Sequence, residues 1–309
     1  MTFLNNFYTV FVQVFILFIF MGLGFVGEKK KFITQEGSKV ISDIILYFVT
    51  PCLIINSLNI KFDTNKLKGL IICFVAFSLI QVFSIVLSTL LFKKAKQSSY
   101  QILRFAVVFS NVGYMGIPLQ KAVLGDEGVF YGSVCVAVFN IFVWTYGIIC
   151  MSGDKNQMST KKLILNPGII AVSIGIILFI FSIKLPTPIS SAIGSMASLN
   201  TPLAMMVIGF NLARSNMLSA LKDKKVYLIS FLRLIFVPVV SLFVLYALGL
   251  RGTLLVSIII ATSSPVAAAT TVFSVKYDSD TELSVKLVAF TTLLSIITMS
   301  AIVALAQLF

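Results

Sequence analysis

An all-α polytopic membrane protein, with ten transmembrane helices in two inverted five-helix repeats, is the fold this sequence predicts. Three observations carry the prediction. The 309 residues are 58% hydrophobic and only 11% charged, against about 45–50% and about 25% in soluble domains. A soluble fold of this length has surface that charge must wet, so the chain belongs in lipid. The apolar residues fall into ten runs near the length that crosses a bilayer, roughly 20 residues. Proline-centred breaks also recur in the two halves at nearly one offset.

The runs lie at about 6–27, 37–58, 68–92, 99–123, 127–151, 168–184, 187–213, 226–249, 252–275 and 282–308. The first is flanked by MTFLNN, with no positive charge, and no small-x-small site follows it. It is therefore expected to remain as a span and not to be removed as a signal peptide. Connecting segments are short. The longest polar stretch, 152–167, divides the chain into a first repeat, 1–151, and a second, 168–309.

Charge sets the expected orientation. The 24 Lys and Arg outnumber the 11 Asp and Glu. In a soluble protein that excess points to nucleic acid; here it marks a membrane face. With the N-terminus outside, sixteen basic residues fall in inner loops, among them Lys29, Lys30, Lys31, Lys93, Lys94, Lys96, Lys161 and Lys162, against six outside. Basic residues are enriched on the cytoplasmic side. A cytoplasmic membrane location, with both termini extracellular and no nucleic-acid partner, follows.

Histidine is absent, which removes His-based triads, metal sites and proton relays. Cys52, Cys73, Cys135 and Cys150 lie singly in apolar runs and read as buried small hydrophobes. No HExxH, DDxxD or GxSxG motif occurs, so neither an enzyme nor a metal or other cofactor is expected. No carboxylate falls near the middle of a span, which argues against a proton relay and leaves sodium coupling, uniport or anion exchange open.

The halves share their punctuation. Thr50-Pro51 in the second run is matched by Thr201-Pro202 in the seventh, 151 residues on; Pro118 in the fourth is matched by Pro265 in the ninth, 147 on. An acidic turn follows each of the latter, at Asp126-Glu127 and at Asp278–Glu282. A unit with an odd number of spans must sit upside down relative to its tandem copy, and inverted repeats of this kind are a transporter architecture.

The fourth run gathers Asn111, Gly113, Gly116 and Pro118; the ninth gathers Thr262, Ser263, Ser264 and Pro265. Proline removes a donor and clashes with the preceding turn, and glycine weakens a helix further. At about 1.5 Å per residue, Asn111 and Ser264 lie near the middle of a core about 30 Å thick. Two half-helices then begin at similar depth. Their free N–H groups and positive dipole ends suit an anionic group such as a carboxylate.

The segment Asn111-Val112-Gly113-Tyr114-Met115-Gly116-Ile117-Pro118-Leu119 resembles the signature of the auxin efflux carrier family, whose bacterial members include malate and malonate permeases. Leu165-Asn166-Pro167 and Thr201–Gly209 are similar to that family too. The resemblance implies a scaffold of spans 1, 2, 6 and 7, which often mediates dimerisation, and a transport domain of spans 3–5 and 8–10. Spans 4 and 9 would cross at their prolines at the midplane, with an elevator-like shift between the domains. Asn111, Pro118 and Pro265 would belong to the crossover site.

The expected function is therefore secondary transport of a small organic anion, with the bilayer and a second copy of the chain as partners. Sodium-coupled carriers resembling bile acid symporters share the same plan and are the alternative. The candidate substrate-binding residues are Asn111, Gly113, Tyr114, Gly116, Pro118, Thr262, Ser263, Ser264 and Pro265, joined by Asn140, Gln81 and Arg233. Asn140 and Gln81 are deep polar groups that either line the site or bond between helices. Arg233 either meets a substrate carboxylate or snorkels to the basic face.

Overall fold

The computed structural model describes residues 3–93, 98–157, 161, 164–215 and 217–309. The inner-loop bases Lys94, Lys96 and Lys162 lie outside the described residues. The described chain is all-helical. Its main helices are α1 (Phe3–Lys29), α2 (Gln35–Leu58), α3 (Thr64–Leu91), α4 (Ser98–Val108), α5 (Val112–Ser152), α6 (Pro167–Ile180), α7 (Thr187–Ala213), α8 (Lys224–Ala247), α9 (Gly252–Ser263), α10 (Ala269–Lys276) and α11 (Thr281–Ala306). Seven of them, α1, α2, α3, α5, α7, α8 and α11, are long and apolar enough to cross a membrane; α6 and α9 are apolar but shorter. Large apolar side chains such as Leu79 (60% exposed) and Ile297 (62%) face outward, as lipid contact requires. The chain is an integral membrane protein.

Helix ends follow local chemistry. Asp63 accepts from Asn65 and Lys66 N–H at the start of α3, Asn166 from Gly168 and Ile169 N–H at the start of α6, and Asp280 from Leu283 N–H at the start of α11. The break expected between 123 and 127 is present within α5: Gly125 (φ 66°, ψ −147°) is non-helical and divides the span into two helices, a backbone conformation that only glycine adopts cheaply. Proline is absorbed in a repeated way. Widened, π-helical turns at Ile45–Val49, Val112–Gly116 and Leu232–Phe236 each precede a proline: Pro51, Pro118 and Pro238. A π turn relaxes the i→i−4 ladder where the ring would clash.

Helix α1 packs on α7 and α11; α6 packs on α2; α5 and α11 pack on α9. The α1–α7 seam is very close. A Cβ added at Gly24 would overlap the Met206 backbone, and one at Gly209 would overlap that of Met21. Small residues let membrane helices approach this closely. Helix α9, by contrast, is wrapped by protein: Leu255 through Ser263 are all buried. The two interrupted rods, α4–α5 and α9–α10, therefore meet inside the bundle.

Candidate functional site

Helix α4 stops at Val108 and α9 at Ser263, and each chain runs on extended before the next half-helix. Ser264 is extended (φ −59°, ψ 145°), as a residue before proline must tend to be. Ser110 and Val266 then pair as a single antiparallel β-bridge. Asn111 N–H donates to the Pro265 carbonyl at 2.7 Å, and Ala267 N–H to the Phe109 carbonyl at 2.9 Å. Val266 N–H donates to Thr291 Oγ1 at 3.1 Å. Unwound backbone at membrane depth must be satisfied internally, and here each strand does that for the other. The crossing falls on Pro265 in one rod. In the other it falls at Ser110, two helical turns before Pro118.

Four half-helix ends surround the crossing. The two C-terminal ends leave carbonyls without intrahelical partners, and Arg233 takes them. Its Nη1 donates to Val107 O at 3.1 Å, its Nε to Ser264 O at 3.3 Å and its Nη2 to Thr262 O. The side chain is 2% exposed. It does not snorkel, because the carbonyls hold it inside the bundle.

The two N-terminal ends open on one cavity of about 110 Å³. A water needs about 10–15 Å³ on this measure, so several heavy-atom groups fit. The start of α5 contributes Asn111, Gly113 and Tyr114; the approach to α10 contributes Ala267, Ala268 and Ala269. The far wall is Ile45, Leu46 and Thr50 of α2, with Asn166 and Gly168 at the start of α6; Val136, Phe139 and Asn140 of α5 complete the lining. No lining residue is charged. Asn111 is 4% exposed, and its Nδ2 has no hydrogen-bond partner within the protein, a buried donor whose desolvation no protein group compensates. Asn140 Oδ1 accepts from Asn166 Nδ2 at 3.2 Å, and Asn140 Nδ2 donates to Val136 O.

Of the residues expected from sequence, the cavity gathers Asn111, Gly113, Tyr114 and Asn140. The others lie behind it. The hydroxyls of Thr262, Ser263 and Ser264 donate to carbonyls of their own helix, those of Ile258 and Ile260. Pro265 is part of the crossing. Gly116 packs the first turn of α5 against Ser264, whose Oγ would lie 3.2 Å from an added Cβ. Pro118 is buried in α5, and Arg233 sits at the opposite ends of the half-helices. Gln81 is buried on α3 with Nε2 unpartnered and does not line the cavity. Ala267–Ala269 were not expected, since alanine carries no chemical signal; here its small size keeps the backbone at the cavity wall. Ala268→Leu should fill the space, weakening the binding of a ligand there at least about tenfold while changing thermal stability by less than about 1 kcal/mol. Parallel ligand titration and melting measure both; unchanged binding would remove the cavity from consideration.

A family model described as "Membrane transport protein" matches residues 9–160 and 154–303. An uncharacterized transporter of Methanothermobacter thermautotrophicus is 24% identical over 300 residues, covering 94% of each chain. One of Methanocaldococcus jannaschii is 24% identical over 295 residues, covering 92% of this chain and 94% of its own.

Proposed function

The chain belongs to the membrane transport protein family, that of the auxin efflux carriers, and on that premise we propose that it is a secondary transporter of a small organic anion, a mono- or dicarboxylate such as malate or malonate. The family makes it a transporter and not an enzyme. One observation carries the substrate class: two half-helix N-termini open on one uncharged cavity that holds an unpartnered amide donor. Each N-terminus acts as roughly half a positive charge, so two together match one carboxylate. Neutral donors complete the shell, and the volume suits a molecule of a few carbons.

The architecture we infer is ten spans in two inverted repeats, 1–151 and 168–309, joined by a cytoplasmic linker at 152–167. Spans 1, 2, 6 and 7 form the scaffold and the surface for a homodimer; spans 3–5 and 8–10 form the moving domain. The cavity draws Thr50 and Asn166 from the first group and Asn111, Asn140 and Ala268 from the second. A ligand held between two bodies is released to either side when one slides past the other, which supports an elevator-like alternation. The cell membrane, with both termini outside, is the setting that the charge pattern favours.

Thermal melting of the purified protein against carboxylates tests the reading. A ligand at about 100 times its Kd adds about 2.7 kcal/mol to the folded state, a rise of roughly 5 °C or more. Malonate or malate should give this rise and their neutral diamides should not. No shift with any mono- or dicarboxylate, together with no saturable uptake into proteoliposomes, would refute the anion assignment.

A further inference from the structure

Among the described residues Arg233 is the only charged side chain that is buried, and it forms no ion pair. A lone buried charge is costly unless something compensates it. The compensation here is three main-chain carbonyls, Val107 O, Thr262 O and Ser264 O, at the C-terminal ends of α4 and α9. Each such end carries roughly half a negative charge, so the pair of ends balances one guanidinium. Converging carbonyls at the negative ends of broken membrane helices are also the chemistry that coordinates a dehydrated monovalent cation.

We propose that the Arg233 guanidinium is a tethered cation in a carbonyl cage at the crossing, standing where a mobile co-ion would otherwise bind, so that the anion site opposite is charged from within and works without sodium. The second half of this statement rests on the anion-transport reading above; the first half does not. Arg233 is thus a positioning residue. It never meets the substrate. It holds the two negative half-helix ends together and cancels them, leaving the two positive ends facing the cavity unopposed. The consequence is a built-in difference in ion requirement. Remove the positive charge and the cage lacks a cation, which sodium from solution can supply.

The test uses the full chain in detergent, as wild type, Arg233→Lys and Arg233→Gln, melted in 150 mM sodium chloride or 150 mM choline chloride (concentrations on the order of physiological ionic strength), with and without malonate. Choline is too large for the cage. Without malonate, wild type and Arg233→Lys should melt within about 1 °C in the two salts, whereas Arg233→Gln should gain about 3 °C or more in sodium. With malonate, the wild-type shift should be the same in both salts. Arg233→Gln that responds equally to the two salts, or is unfolded in both, overturns the proposal; so does a wild-type malonate shift that requires sodium. If malonate shifts nothing in either salt, the anion reading fails, while the sodium response of Arg233→Gln still decides whether the cage exists.

Discussion

Asn111→Asp is expected to abolish anion binding and leave the fold standing. Asn111 lines the cavity at the start of α5, and its Nδ2 has no partner within the protein. A carboxylate there stands beside two half-helix N-termini, which favour a negative side chain by about 0.3–1 kcal/mol. That gain offsets part of the cost of burying the charge, so melting should move by no more than roughly 3 °C. The ligand fares differently. Two like charges about 4 Å apart repel by about 4 kcal/mol at an effective dielectric constant near 20, close to a thousandfold in affinity. Asn111→Ala removes only a donor and should cost about tenfold. Malonate titration of the three proteins gives the order wild type, Ala, Asp. If Asp binds within tenfold of wild type, the anion does not sit at this helix end.

The largest loss of stability should come from a residue far from the cavity. Gly209→Val places a branched side chain against the Met21 backbone across the α1–α7 seam. A backbone cannot rotate away as a side chain tip can, so the two helices must part along the seam. Overpacking of this kind costs about 3 kcal/mol, a fall of roughly 6 °C or more in melting temperature. Gly24→Val strikes the same seam at Met206, so the double variant should lose less than the two singles added together. A loss below about 1 kcal/mol for either single variant would mean that the seam is looser than the structure has it.

That the chain crosses a membrane several times was legible, because bilayer thickness imposes one length on a spanning helix and seven helices reach it. The break in the ninth run was legible from Pro265, because a proline forbids the turn it sits in. The break in the fourth was legible at Asn111 but not from its proline. Pro118 is accommodated by the widened turn at Val112–Gly116, and the chain opens earlier, at Phe109–Asn111, where another strand supplies the hydrogen bonds. That partner lies more than 150 residues away in sequence, out of reach of any local signal. Arg233 illustrates the same limit. Its place within an apolar run was readable, but its partners are carbonyl oxygens, which every residue possesses and no sequence displays. The cavity wall near α10 is made of Ala267, Ala268 and Ala269, whose contribution is the space they leave.

The crossing itself is written in main-chain atoms. Phe109 O, Asn111 N, Pro265 O and Ala267 N make its two cross-bonds, and apart from the ring of Pro265 no side chain is needed for either. Mutational drift can therefore replace the residues around Ser110 and Val266 without unmaking the joint, provided the chain keeps its length and its proline. Two relatives at 24% identity over nearly the whole chain can share such a joint while differing in the cavity beside it. Substitutions at the few side chains that look into the space between the helix ends leave every bond of this joint in place.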